Sequence, residues 1–114
     1  MTKIEDIAKV CHQTNKAYCQ TIGDNSQKDW DNAADWQRQS AINGVHHRLN
    51  NPDATPEDMH NNWLKEKTEQ GWVYGKYKDE QKKTHPCCIP YSELPTEQQK
   101  KDSLFSAIVD VFRQ

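Results

Sequence analysis

Between Gly71 and Pro95 the chain carries two glycines, Gly71 and Gly75, and three prolines, Pro86, Pro90 and Pro95, a density of breakers that excludes a long helix there. The rest of the chain reads mainly at helical spacing. The fold is bounded at once: helices flank a short extended segment. A length of 114 residues suffices for one domain with one modest core.

Residues 2–22 read as an amphipathic helix. Thr2-Lys3-Ile4-Glu5 fits a capping box, and Ile4, Ile7, Ala8, Cys11, Tyr18 and Ile22 share a face. Cys11 and Cys19 act there as small apolar fillers, and Gly23 stops the helix. A second helix starts near Asp31 or Asn32 and runs to about Leu49, with Trp36, Ile42, Val45 and Leu49 inward. Gly44 within it costs about 1 kcal/mol relative to alanine, so its smallness points to close packing. The third helix has the clearest start: Thr55 caps, Pro56 takes the first helical position, and Glu57 and Asp58 bring negative charge to the first turn. It ends at Gln70 with Gly71 as the left-handed residue, and Trp63 falls on its core face.

Trp72-Val73-Tyr74 is strand-prone, Lys78-Asp79-Glu80-Gln81 is a polar turn, and 85–91 is extended again. A last helix begins near Pro95 or Thr96, where Thr96-Glu97-Gln98-Gln99 offers a second capping box, and its core face is Leu104, Phe105, Ile108, Val111 and Phe112. No repeat or linker interrupts the chain. The expectation is one domain over 1–114, mainly α, with about four helices and a short two-stranded β element between the third and fourth.

Charge narrows the partners. The first 57 residues hold six basic and eight acidic side chains and the remainder nine of each, for a net charge of -2 and a pI near 6.2. Neither half suits a duplex phosphate backbone. The one local surplus is in 71–91, where Lys76, Lys78, Lys82 and Lys83 outnumber Asp79 and Glu80. No apolar run approaches the ~20 residues of a membrane span, and the N-terminus lacks a signal-peptide pattern. A cytoplasmic location and four free thiols are expected.

The string His60-Asn61-Asn62-Trp63, Gly71-Trp72-Val73-Tyr74-Gly75, Asp79, Lys83-Thr84-His85-Pro86 and Tyr91-Ser92-Glu93-Leu94-Pro95 resembles the ryanodine receptor repeat (RyR) domain. Such domains occur as repeats in the cytoplasmic part of ryanodine-sensitive calcium channels and in small bacterial and phage proteins. The resemblance covers about 57–112, and the helical stretch over residues 2–50 looks like the N-terminal segment of the stand-alone bacterial members. Lys76 replaces the proline common after the Tyr-Gly pair, and Cys88 an aliphatic residue, so details of the 77–83 loop are not carried over. The resemblance implies a module that binds or packs. Ion conduction is excluded for a chain with no spanning segment, and the ligand goes unnamed.

Three chemistries compete for the polar and aromatic residues. Zinc needs paired ligands at short gaps, whereas Cys11 and Cys19 lie on a core stripe and Cys87 and Cys88 are adjacent, so neither metal nor cofactor is expected. Cys87 beside His85 suggests a nucleophile, but Pro86 holds the backbone extended and sends the flanking side chains apart. No other catalytic motif is present, and the protein reads as a non-enzyme. The aromatic set, Trp30, Trp36, Trp63, Trp72, Tyr74, Tyr77 and Tyr91, exceeds what so small a core must hold. On a strand Trp72 and Tyr74 share one face, and with Val73 inward they border a groove with cationic Lys76, Lys83 and His85. Trp72, Tyr74, Lys83, His85 and Tyr91 are therefore the expected binding residues for a small anionic, nucleotide-derived ligand. The other reading is a protein-interaction or packing module with no small ligand. A homo-oligomer stays open in both.

Overall fold

Helix α1 (Ile4–Thr21) buries Ile7, Ala8, Cys11, His12 and Cys19 along one side, in a computed structural model that describes residues 3–113. Its N-cap is Lys3, whose side chain makes no capping bond, and the expected Thr2 hydroxyl cap lies outside the described residues. Ile7, Ala8 and Cys11 meet Trp30, Val45 and Val109 in the main core, where Ala8, Val45 and Val109 are fully enclosed. Burying a valine side chain contributes about 1.5–3 kcal/mol, so these contacts anchor α1 on its neighbours.

The second helix begins later than the periodicity predicts. A 3₁₀ turn (Trp30–Asn32) precedes α2 (Asp35–Asn50). The Trp30 ring is buried, its backbone N–H donates to Gln13 Oε1, and its carbonyl accepts from Arg38 Nη1. That insertion bends the chain before α2 can start. Within α2, a Cβ on Gly44 would lie 2.9 Å from Phe105 Cζ, which is the close packing its position suggested.

Helix α3 (Pro56–Glu69) carries a full capping box: Thr55 Oγ1 accepts from Asp58 N, and Asp58 Oδ2 accepts from Thr55 N. Gly71, at φ 90°, lets the chain leave the helix. Helix α4 (Thr96–Val111) starts without the expected Thr96 box. Pro95 is the extended N-cap and makes no side-chain bond, while Gln99 Nε2 donates to Tyr91 O. Val111 was expected inward and is 79% exposed. It lies about 200° around the helix from fully buried Val109, on the solvent side.

Strands β1 (Val73–Tyr74) and β2 (Thr84–His85) pair in parallel, Val73 with Thr84 and Tyr74 with His85. Parallel strands ordinarily need a crossover of a dozen or more residues. Residues 75–83 suffice because each strand is two residues long and the loop braces itself. Asp79 exchanges both backbone bonds with Thr84, and its Oδ1 accepts from Gln81 N and Lys82 N. Lys83 adopts φ 54°, and its ammonium reaches back to Gln70 O at 2.8 Å, at the negative end of α3. The arrangement corrects one expectation. Val73 faces solvent at 59% exposure and Trp72 is buried at 6%, so Trp72 and Tyr74 do not share an open face. Trp72 precedes the strand and follows the end of α3 inward; its N–H donates to Lys67 O.

Candidate ligand-binding cavity

The four helices and the loop after β2 enclose a cavity of about 230 Å³. Drug-sized pockets run to ~300–1,000 Å³, so the space suits one ring system with its charged end at the rim. On the wall from α2 and α3, Ser40, Asn43, Glu66 and Lys67 are paired with one another. Glu66 accepts from Ser40 Oγ at 2.8 Å and Asn43 Nδ2 at 2.6 Å, and it meets Lys67 Nζ at 3.1 Å. Burial works to raise the Glu66 pKa, but the bonds from Asn43 and Ser40 and the charge of Lys67 outweigh it and leave the group below its ordinary value. Lys67, only 1% exposed, also donates to Gln70 Oε1 and sits 4.9 Å from the Trp36 ring centre.

Opposite α2, Trp63 is half-buried and lines the cavity; it is not sealed in the core. His60 stacks on it at 5.6 Å and donates through Nε2 to Ile89 O, while His85 meets it at 5.1 Å. The backbone N–H of Cys87 donates to His85 Nδ1 at 2.9 Å. An amide can only donate, so the imidazole proton sits on Nε2. Burial, reinforced by Lys78 and Lys101, lowers the His85 pKa to about 4, which keeps the ring neutral at physiological pH. Burial also raises the Cys87 thiol, whose Sγ lies 3.5 Å from Gln98 Oε1.

The third side of the cavity is chemically open. Lys78, Lys101 and Asp102 line it, and among the described residues none makes an ion pair or side-chain hydrogen bond. The Lys78 ammonium stands 5.3 Å from the Trp36 ring centre, and burial lowers its pKa. Burial raises the Asp102 carboxyl to about 7, partly offset by Lys101. Trp36 has its ring covered by Trp72 at 4.8 Å and by the two lysines, yet its buried Nε1–H has no partner. An unmet buried donor costs about 1–3 kcal/mol.

Of the five expected binding residues, His85 alone lines this cavity. Trp72 lies behind it, against Trp36 and 6.3 Å from His85. Tyr91 is half-buried and reaches the site through His60, at 6.1 Å. Tyr74 is 57% exposed, and the Lys83 ammonium is engaged on α3. Sequence reasoning missed Lys78, Lys101 and Asp102 as a group and did not place Trp36 at the site. A signal existed in α4. Gln98, Lys101, Asp102, Phe105 and Ile108 form one helical stripe, so charged residues occupy the continuation of an apolar face.

Cys11 and Cys19 are buried, and burial pushes the Cys11 thiol up to about 12. Among the described residues no three His, Cys, Asp or Glu side chains gather as metal ligands, and no helix is long and apolar enough to cross a membrane.

Comparison with known families gives a match to the RyR domain over residues 39–111. The matched region starts within α2, earlier than the 57–112 drawn from motifs, and takes in α3, the strand pair and α4. With most of its length matched, the chain belongs to the RyR domain family.

Proposed function

We propose that this RyR domain is a non-enzymatic, cytoplasmic binding module for a small anionic ligand bearing an aromatic ring, such as a nucleotide derivative. The observation that carries the reading is the open wall. Lys78 and Lys101 line a cavity without a carboxylate ion-pair partner among the described residues, beside Trp63. Glu66 does not cancel them, because Lys67 already does. The cavity therefore favours a negative group at its rim and a flat ring inside. Micromolar affinity, about -8 kcal/mol, is within reach of one stacked ring and charge-assisted bonds after the costs of association.

Catalysis has little support in the same geometry. His85 is neutral with Nδ1 occupied, and Cys87 is pushed toward its thiol form, so the pair lacks an activated nucleophile. Ion conduction by this chain alone is likewise no element of the proposal. A thermal-shift screen against nucleotides and sugar nucleotides, followed by calorimetry, tests the reading, because a native-state ligand raises the melting temperature. A stabilising hit lost in Lys101→Ala supports it, and no hit overturns it.

A second reading rests on a different surface. Val73 and Tyr74 of β1 and Tyr77 of the loop after it are 59%, 57% and 73% exposed, with Lys76 over the Tyr77 ring. Such a patch suits a protein-interaction or packing role. Concentration-dependent self-association by sedimentation, abolished in Tyr77→Ser, would favour it.

A further inference from the structure

We propose that Asp102 selects the ring: its carboxylate accepts two parallel N–H donors from the ligand, so the cavity prefers a guanine-type base over adenine or a pyrimidine. This rests on the binding reading above and names the chemistry that reading leaves open.

One carboxylate without a protein partner carries it. Asp102 is half-buried in the cavity wall, and its carboxyl has no hydrogen-bond or ion-pair partner among the described residues. Glu66 is satisfied by Ser40, Asn43 and Lys67, and His60 by Ile89 O. A ligand that completes this wall must therefore offer donors to a carboxylate. Among the common bases, guanine sets a ring N–H beside an exocyclic amino group and carries N7 and O6 as acceptors. Adenine, cytosine and uracil place an acceptor next to each Watson–Crick donor, which a carboxylate repels. The pairing is charge-assisted, the stronger class of hydrogen bond.

The surroundings favour the ionised form once donors arrive. Lys101 adjoins Asp102 on α4, and Lys78 comes from the β1–β2 loop. His85 is neutral, Cys87 is held as a thiol by burial, and Glu66 is balanced by Lys67. His12 on α1 commits Nε2 to Lys28 O. A carboxyl titrating near 7 in the free protein is about one-tenth ionised at pH 6 and nine-tenths at pH 8. A ligand that requires the carboxylate therefore gains about tenfold in affinity over that range, releasing a proton as it binds at the lower pH.

Calorimetry with guanosine and adenosine 3′,5′-cyclic monophosphates tests this, because their phosphodiester keeps one charge throughout the range. The expected result is guanine favoured by at least about tenfold, with affinity rising between pH 6 and pH 8. Asp102→Asn should abolish both the preference and the slope while the protein stays folded. Equal binding of the two probes at a flat pH profile overturns the inference and leaves the binding reading standing. Preference for adenine with affinity falling as pH rises means the carboxyl acts as a neutral acid, and also overturns it. Absence of binding by either probe, with phosphate and other nucleotides equally inert, overturns both.

Discussion

Two walls of one cavity differ more than any two helices of the fold. On the α2–α3 side, Ser40, Asn43, Glu66, Lys67 and Gln70 form a closed set in which a nearly inaccessible ammonium has every partner it needs. On the α4 side, Lys78, Lys101 and Asp102 have none among the described residues. Buried polar groups in a folded domain are normally paired, because an unpaired one costs stability. The closed wall obeys that rule and holds the structure. The open wall lies where the cavity meets solvent, so its charged groups are left available to something that binds there.

The sharpest break of this contrast is Glu66→Ala. It strands Lys67 without its counter-charge and should cost about 3–5 kcal/mol in chemical denaturation. A loss below about 1 kcal/mol would mean the closed wall carries no more stability than a surface pair. Trp63→Ala removes a half-buried ring between the walls and should cost about 2 kcal/mol, less than the 3–5 of a sealed core aromatic. Ligand binding should be lost with it.

The open wall should respond in the opposite sense. Asp102 has its carboxyl raised from 3.8 to about 7, so the folded protein holds a proton that the unfolded chain releases. Its effect on stability must then be most favourable below pH 4, fall as pH rises to 7, and level off above. Asp102→Asn should remove that decline and raise stability at pH 8 by about 2 kcal/mol, measured by thermal or urea unfolding. A variant less stable than the parent at pH 8 would show that the carboxylate has a stabilising partner. The smallest expected stability change is in Lys101→Ala, within about 0.5 kcal/mol, while ligand affinity drops about tenfold and the loss shrinks in high salt.

What the sequence made legible follows the same division. Local chemistry was readable: Thr55, Pro56 and Asp58 fix the start of α3, Gly71 its end, and Gly44 a close approach to Phe105. The RyR resemblance rests on the 60–95 string, which lies wholly inside the matched 39–111. The strand faces were not readable, because two-residue strands leave alternation no length to express itself, and Trp72 belongs to the exit from α3. Nor was the cavity, since Trp36, Lys78 and Asp102 meet only once α2, the β1–β2 loop and α4 have packed. The buried state of Lys67 is of the same kind: nothing local separates it from the exposed Lys65 two residues earlier.

One contact has a bearing on the order of synthesis. Arg48 at the end of α2 donates through Nε and Nη2 to the two carboxylate oxygens of Asp110, and Arg113 donates to the carbonyls of Arg48 and Leu49. Residues 48 and 113 are separated by almost the whole matched region. During vectorial translation α2 therefore waits, with Arg48 held only through Nη1 on Ala54 O and lacking its counter-charge, until α4 has left the ribosome. A nascent chain arrested short of Asp110 should therefore remain protease-sensitive from α2 onward.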